Sequence, residues 1–245
     1  MKAFKIQGQF SYPGYSVRMT TVSLPWVNCE VCKCLTGQPH VYHPSLKCSP
    51  RILSILKTAK KAVSVEEYQK ILLNFHDRAE SLWDLPPRAQ LGVQKFVMEE
   101  PPPDFMTDLN CPLISERALG ILKDHGIQVY TGEVEILCPR KPWKGWYAVD
   151  FPGIRLMTEK SFRESGRYQC PRCGDFKMKP NMTLTPQQEF FGHSDHELIK
   201  DRWPAKLGVA RARESGLHVA SPEFISVWKK HKLTGINFVP IGKWV

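Results

Sequence analysis

Cys170-Pro-Arg-Cys173-Gly174 and Cys29-Glu-Val-Cys32 are the two stretches that decide how this chain folds. In each knuckle, residues 29–32 and residues 170–173, the spacing lets both sulfur atoms turn towards one metal ion. The second knuckle is the sharper signal, because its proline stiffens the turn and Gly174 accepts a left-handed backbone, whereas Lys33 follows the first knuckle. Four thiolates complete the tetrahedral coordination of a structural zinc ion. We therefore predict one structural Zn²⁺ bound by Cys29, Cys32, Cys170 and Cys173.

The two knuckles lie far apart along the chain, with residues 33–169 between them. Compact zinc ribbons have roughly 15–20 residues in this interval. The longer loop corresponds to about three doublings in length, so closing it costs about 2 kcal/mol more. A structural zinc contributes on the order of 10–16 kcal/mol to folding. The long gap therefore permits one shared site, and two unrelated, reduced cysteine pairs are the alternative.

Other side chains near the first knuckle could replace one of its thiolates. These candidates are His40, His43, Cys34 and Cys48. Symmetric use of both cysteine pairs is the simpler arrangement. Cys111 and Cys138 stand singly, as is typical of cysteines that pack as small apolar side chains.

The composition is typical of an ordinary folded protein. The 245 residues, of which 42% are hydrophobic and 24% charged, suffice for one large domain or two small ones. No apolar run is long enough to span a membrane, and the first residues lack the apolar run of a secretory signal. We therefore expect a cytoplasmic protein without a membrane partner. Eight cysteines are too few for a disulfide scaffold, and a reducing compartment favours thiolates that bind metal.

Part of the net charge of +10 is concentrated in residues 141–179. The basic residues there are Lys141, Lys144, Arg155, Lys160, Arg163, Arg167, Arg172, Lys177 and Lys179. The acidic residues of the same segment are Asp150, Glu159, Glu164 and Asp175. Such a field attracts anionic partners, either nucleic acid or an acidic protein surface. A solvated face that keeps the protein soluble is an equal alternative.

Local patterns predict a strand at the start of the chain, where apolar and polar residues alternate, and helices after the first knuckle. Ser49-Pro50 and the capping box Ser64-Val-Glu-Glu67 are typical helix starts. Pro101-Pro-Pro103 is a stiff connector. We predict an N-terminal part, residues 1–100, with the first knuckle, and a C-terminal part, residues 101–245, with the second. One continuous domain is the alternative.

Two segments of the C-terminal part resemble each other. Residues 115–125, SERALGILKDH, align with residues 221–231, SPEFISVWKKH, and each is followed by Thr-Gly and an apolar stretch. Each reads as a helix with a serine N-cap, then a turn and a strand. His125 and His231 fall in the last helical turns, where they suit the negative end of the helix dipole. We predict an α+β fold, in which a mixed sheet is flanked by helices and carries a duplicated helix–strand unit and a zinc-ribbon-like four-cysteine clip.

Trp143-Lys-Gly-Trp146-Tyr147 places aromatic side chains beside a lysine. These rings could stack on nucleic-acid bases or anchor a protein partner. We favour packing against the sheet, because buried aromatic rings dominate the energetics of protein cores.

His193-Ser-Asp195-His196 is the one stretch that resembles a catalytic metal site, since two histidines and a carboxylate are suitable ligands for zinc or iron. Its spacing matches no helical His-x-x-x-His motif, and its polar neighbours are typical of a solvated turn. A metal hydrolase that used it would bind a second metal equivalent. The chain has neither a Gly-rich phosphate loop nor a Gly-x-Ser-x-Gly elbow, so we expect a binding protein and not an enzyme.

In layout the chain resembles the double-CXXCG motif proteins of proteobacteria, which are immunity proteins that accompany Sit-type polymorphic toxins in myxobacteria and their relatives. The resemblance rests on the first knuckle after Trp26, on Tyr42-His-Pro-Ser-Leu46, and on the second knuckle with its glycine. It also includes the closing pattern Ser221-Pro-Glu-Phe…Trp228…Leu233-Thr-Gly-Ile-x-Phe238. It touches both ends and the middle of the chain with few identities, and Lys33 replaces the glycine of the first motif.

The resemblance implies a cytoplasmic protein that binds and neutralises a cognate toxin. The positive net charge then implies an acidic surface on that toxin, since complementary charge speeds association. The sequence does not indicate which residues contact the toxin. The alternative is a zinc-ribbon protein that binds nucleic acid through the basic residues around the second knuckle.

Overall fold

A computed structural model of the chain describes residues 1–8, 16–19, 22–33, 35–36, 42–43, 49–58, 62–75, 85–98, 101–107, 112–137, 144–178 and 196–245. The strands, in chain order, are β1 (Lys2–Gly8), β2 (Ser16–Met19), β3 (Val22–Ser23), β4 (Trp26–Asn28), β5 (Leu35–Thr36), β6 (Tyr42–His43), β7 (Ala62–Val63), β8 (Gln90–Leu91), β9 (Gln94–Val97), β10 (Phe105–Met106), β11 (Leu113–Ser115), β12 (Tyr130–Gly132), β13 (Val134–Leu137), β14 (Trp146–Asp150), β15 (Gly153–Ile154), β16 (Arg167–Gln169), β17 (Phe176–Met178), β18 (His196–Leu198), β19 (Val209–Ala212), β20 (His218–Ala220) and β21 (Ile236–Trp244). The helices are α1 (Pro50–Thr58), α2 (Val65–Leu73), α3 (Glu116–Asp124), α4 (Glu159–Glu164) and α5 (Pro222–Lys230), with a 3₁₀ turn at Lys200–Arg202. Within these ranges, none of the helices has the length and apolar character needed to cross a membrane.

The largest sheet formed by the described residues has six strands in the order β15-β19-β20-β1-β21-β18. Strand β1 is antiparallel to both of its neighbours, β20 and β21. The outermost strands, β15 and β18, are each parallel to the strand beside them, so the sheet is mixed. The first strand of the chain therefore lies among strands from the C-terminal part, and the division at residue 100 stays a prediction.

Helices cover both faces of this sheet. Ile6 of β1 belongs to a buried cluster that includes Leu122 of α3 and Phe224 of α5. Ala3 lies three residues before Ile6 on the same strand, and it packs in a different cluster, with Phe162 of α4. This separation follows from the alternation of side chains along a strand. The predicted α+β fold, a mixed sheet with flanking helices, is confirmed.

The two helices of the predicted duplication have matching ends. Ser115 and Ser221 are the N-caps of α3 and α5, and each hydroxyl accepts a hydrogen bond of 3.1 Å from the backbone N–H three residues later. His125 and His231 are the C-caps. At the end of each helix, the backbone N–H of the residue two positions after the histidine donates a hydrogen bond to the carbonyl of the residue three positions before the histidine. The distances are 2.9 Å for α3 and 3.1 Å for α5. The two helices therefore begin and end in the same way.

The segments after these helices differ. Gly132 pairs with Ala148 inside β12, so the turn expected at Thr131-Gly132 is wrong. Thr234-Gly235 does form the connection before β21, with a φ of +104° at Gly235. Strand β13 then pairs with β9, whereas β21 joins the central sheet. The repeated element is therefore the capped helix, and the strands that follow join different sheets.

Asp104 joins the two similar segments. Its carboxylate accepts hydrogen bonds from the Ser115 hydroxyl at 3.0 Å, from Arg117 at 3.1 and 2.6 Å, and from the N–H and hydroxyl of Thr234 at 3.0 and 3.1 Å. Burial alone would raise the pKa of Asp104, but the hydrogen bonds, that of Arg117 first, lower it below its ordinary value. The carboxylate therefore stays ionised and ties the start of α3 to the connection after α5.

Helices α1 and α2 begin where the sequence predicts. The N–H of Ile52 donates to the Ser49 hydroxyl at 3.3 Å. Ser64 and Glu67 form the reciprocal capping box, with hydrogen bonds of 2.9 and 3.2 Å. Both helices contribute buried side chains to the cluster that contains Cys29, so they form one wall of the candidate site.

Candidate metal centre

Each knuckle lies at the tip of a two-stranded antiparallel hairpin. The first connects β4 to β5, in which Asn28 pairs with Leu35. The second connects β16 to β17, in which Gln169 pairs with Phe176. The N–H of Gly174 donates to the carbonyl of Cys170 at 2.9 Å and closes the second turn. Two hairpin tips that face each other are the arrangement expected of a zinc-ribbon-like clip.

The four cysteine sulfur atoms form one cluster. The Sγ atoms of Cys29 and Cys170 are 3.8 Å apart, and those of Cys32 and Cys173 are 4.0 Å apart. All four sulfur atoms lie within 4.8 Å of one another. Tetrahedral zinc with Zn–S bonds of about 2.3 Å places its sulfur ligands about 3.8 Å apart, whereas a disulfide requires about 2.05 Å. The spacing therefore fits four ligands of one metal ion and excludes a disulfide in this arrangement.

Burial and hydrogen bonding act in opposite directions on these thiols. Cys29 and Cys170 are 0% and 1% exposed, and Cys32 and Cys173 are half-buried. Burial alone would raise the pKa of Cys29, but backbone N–H groups of Cys32 and Val31 and the thiols of Cys32 and Cys173 outweigh it and lower the pKa to about 7. Burial raises the pKa of Cys173. Since a metal ion binds thiolates, it would displace protons from this cluster and offset the cost of burying their charge.

Lys33, which follows the first knuckle, adopts the left-handed backbone conformation that is typical of glycine. Its φ is +54°, and that of Gly174, which follows the second knuckle, is +72°. Both values lie in the left-handed region, which costs a residue with a Cβ atom about 1–2 kcal/mol. The first knuckle therefore has the geometry of the second, with some backbone strain at Lys33.

Arg172 connects the two knuckles through charge. Its guanidinium lies 3.2 Å from the carboxylate of Glu30 and also forms an ion pair with Glu66, in the first turn of α2. The three side chains are substantially exposed, so each pair contributes about 0–1 kcal/mol. The sequence analysis missed this contact. Opposite charges inside the two knuckles were the signal that could have indicated it.

The other candidate ligands fall largely outside the described residues. This applies to Cys34, His40, Cys48, His193 and Asp195, and to the side chain of His43. The single cysteines Cys111 and Cys138 also lie outside the described residues. His196 is described, and its buried side chain belongs to β18, where the residue pairs with Gly242. In the part of the chain that the structure describes, the four cysteines are the one group of three or more such side chains whose ligand atoms converge.

Three cations of the basic segment form ion pairs with carboxylates in the described residues. Arg155 pairs with Glu159 at 3.5 Å and with the buried Glu214 at 3.9 Å. Lys177 pairs with Asp175 at 2.7 Å. With the ion pairs of Arg172, these contacts weaken the local field that nucleic acid would encounter.

The aromatic cluster is used in packing where it is described. Trp146 and Tyr147 belong to β14 and pack against two buried clusters. The indole N–H of Trp146 donates to the carbonyl of Pro103 at 3.2 Å. Trp143 lies outside the described residues. The predicted packing is confirmed for Trp146 and Tyr147.

No model of a known protein family matches the chain, and no curated protein matches it. The interpretation of the four-cysteine cluster as a metal site therefore rests on its geometry alone. Its donor set and sulfur spacing are compatible with a bound metal such as zinc.

Proposed function

We propose that the chain is a cytoplasmic immunity protein that binds and neutralises a cognate toxin, on a scaffold stabilised by one structural Zn²⁺ at Cys29, Cys32, Cys170 and Cys173. The observation that supports the zinc-stabilised scaffold is the convergence of two knuckles, 141 residues apart, into one cluster of four thiols, two of them buried and two half-buried. The ordered motifs that resemble the double-CXXCG proteins support the same function.

The donor set suits a structural ion. Catalytic zinc sites use three protein ligands and keep one position for water or substrate, whereas four cysteines fill a tetrahedron. Zinc here would fix the relative positions of the two hairpins and would leave binding to the protein surface. This is what a protein needs when it acts by forming a complementary complex.

One cavity offers a surface for an acidic partner. It has a volume of about 450 Å³, and its apolar lining includes Trp203, Leu207 and Trp244. Lys200 and Lys206 also line it, together with one acidic residue, Glu223, and all three are exposed. An apolar pocket with a basic rim suits a partner that inserts an apolar side chain and surrounds it with carboxylates. We propose that this cavity is the toxin-binding surface.

Nucleic-acid binding is the weaker candidate. Arg155 and Arg172 of the basic segment are engaged with carboxylates, and Arg167 donates to the backbone carbonyl of Glu214 at 2.6 Å. Nucleic-acid binding would require these cations to contact phosphates. A protein partner that binds at the cavity would leave the present contacts of these arginines intact.

The experiment is co-expression of the full chain with the product of the adjacent gene, which the proposal predicts to be the toxin. We expect a stoichiometric complex and restored growth of cells that make the toxin. Failure to form a complex or to protect the cells would contradict the proposed function. Steeply salt-dependent binding of the chain to DNA or RNA, without a protein complex, would favour the nucleic-acid alternative.

The binding surface is tested separately with Lys200→Glu/Lys206→Glu, because reversed charge at the rim should weaken binding to an acidic partner. Lys57→Glu/Lys70→Glu is the matched control, since these exposed lysines lie on α1 and α2. We expect at least about tenfold weaker binding for the first variant and little change for the control. Equal protection by both variants would place the toxin elsewhere and leave the proposed function intact.

A further inference from the structure

The two C-cap histidines of the duplicated helices meet at the protein surface. His125 is exposed and His231 is half-buried. Their Nε2 atoms are 3.4 Å apart, and the ring planes are inclined by 77° with centroids 4.9 Å apart. The rings therefore meet edge to edge through their nitrogens and do not stack.

The distance between the two nitrogens distinguishes between two interactions. A good N–H hydrogen bond has its heavy atoms about 2.9–3.0 Å apart, so a separation of 3.4 Å makes a poor one. Two imidazoles on one tetrahedral zinc, with Zn–N bonds of about 2.0–2.1 Å, have nitrogens about 3.3–3.4 Å apart. The observed separation therefore matches two ligands of one ion better than it matches a hydrogen bond.

The surroundings prepare these nitrogens for a cation. The Nδ1 of His125 lies 3.0 Å from the carbonyl oxygen of Ile121, which can only accept, so Nδ1 carries the proton and Nε2 of the neutral ring has a free lone pair. Such a hydrogen bond on the other ring nitrogen is how metal-binding histidines are oriented. Both rings also cap helix C-termini, where the helix dipole favours positive charge.

We propose that His125 and His231 form a second metal site, separate from the cysteine cluster, that binds one Zn²⁺ through both Nε2 atoms with water as the remaining ligands. In the bound state the proton of neutral His231 lies on Nδ1, so that the lone pair of its Nε2 binds the ion. With two protein ligands the site is weaker than the cysteine site and exchanges its ion. A bound ion would link the ends of α3 and α5, which are the two copies of the duplicated helix.

Nearby charged side chains limit the affinity of the two-histidine site for Zn²⁺. Lys123, Lys229, Lys230 and Lys232 flank the two histidines in sequence and oppose a cation, while Asp124 favours one. The proposal does not depend on toxin binding.

The test is calorimetric titration of Zn²⁺ into the full chain already loaded with zinc at its cysteines. We expect one further equivalent in the wild type, and at least about tenfold weaker binding in His125→Gln and in His231→Gln. Lys123→Gln is the matched control from the same helical turn, and it should bind as tightly as the wild type or more tightly. Circular dichroism of each variant checks that the fold is retained.

Two results would overturn the proposal. One is the absence of a further equivalent in the wild type. The other is a further equivalent that both histidine variants keep and Asp195→Asn loses, which would place the second ion at His193-Ser-Asp195-His196.

Discussion

Lys33 and Gly174 adopt the same left-handed backbone conformation at equivalent positions, each directly after the second cysteine of its knuckle. Glycine adopts this conformation without steric cost, whereas lysine does not. We therefore predict that Lys33→Gly increases the free energy of unfolding by about 0.5–1 kcal/mol, after allowing for the greater freedom of glycine in the unfolded chain. Chemical denaturation of the zinc-loaded protein measures this change.

Gly174→Ala is the reciprocal variant. A Cβ atom at Gly174 would have Gln169 as its nearest neighbour at 3.9 Å, so crowding is absent and only the backbone conformation opposes alanine. We expect a loss of about 1 kcal/mol. A destabilised Lys33→Gly protein would contradict the structural equivalence of the two positions.

Gly235 lies at a point where the chain passes close to its own backbone. A Cβ atom there would lie 1.8 Å from the carbonyl oxygen of Phe105 and 2.7 Å from Pro103, and its φ is +104°. We predict that Gly235→Ala lowers the free energy of unfolding by about 3 kcal/mol, since a steric clash adds to backbone strain. Thermal and urea denaturation measure this loss.

The control is Gly120→Ala, on the exposed face of α3, where a Cβ atom meets nothing within 4 Å. Alanine should stabilise a helix at such a position by about 0.8–1 kcal/mol. Similar effects of the two substitutions would show that the close contact at Gly235 does not constrain the fold.

Features that depend on local chemistry could be predicted from the sequence. The serine caps at Ser115 and Ser221 depend only on backbone N–H groups of the following helical turn. The clustering of the two cysteine pairs follows from the four ligands that one tetrahedral ion requires. The contact of Arg172 with Glu66 and the pairing of β1 with β20 and β21 join residues far apart in the chain, so no local pattern specifies them. At Thr131-Gly132, pairing with β14 overrides the local preference for a turn.

His218 is expected to make stability depend on pH. Its half-buried ring stacks on Phe151 with centroids 4.0 Å apart, and desolvation of the ring, with a smaller effect of Arg211, lowers the pKa of His218 from 6.5 to about 4. Between these two values the unfolded chain binds more protons than the folded one, so the free energy of unfolding falls as the pH falls. We expect this histidine to contribute a loss of about 2 kcal/mol between pH 7 and about pH 4.5.

The measurement compares urea denaturation of the wild type and His218→Gln at both pH values. The glutamine variant should lose less stability on acidification, because its side chain does not take up a proton. An equal loss in the two proteins would mean that His218 is not held in the neutral form.

Loss of one thiolate should affect folding strongly. Cys170 is 1% exposed, and Cys170→Ser would remove a ligand and leave a hydroxyl in its place. We predict reduced zinc content and a loss of at least about 3 kcal/mol in the free energy of unfolding. Cys111→Ser is the control, because Cys111 belongs to neither of the two Cys-x-x-Cys motifs. Equal stability of Cys170→Ser and the wild type would exclude a structural metal at this position.

X-ray absorption spectroscopy at the zinc edge, on protein purified without added metal, tests the shared zinc site most directly. We predict one tightly held zinc per chain with four sulfur ligands at about 2.3 Å, and its loss from the Cys29→Ser/Cys32→Ser variant. A zinc with nitrogen or oxygen ligands in place of sulfur, or one that the double variant retains unchanged, would contradict a site shared by the two knuckles.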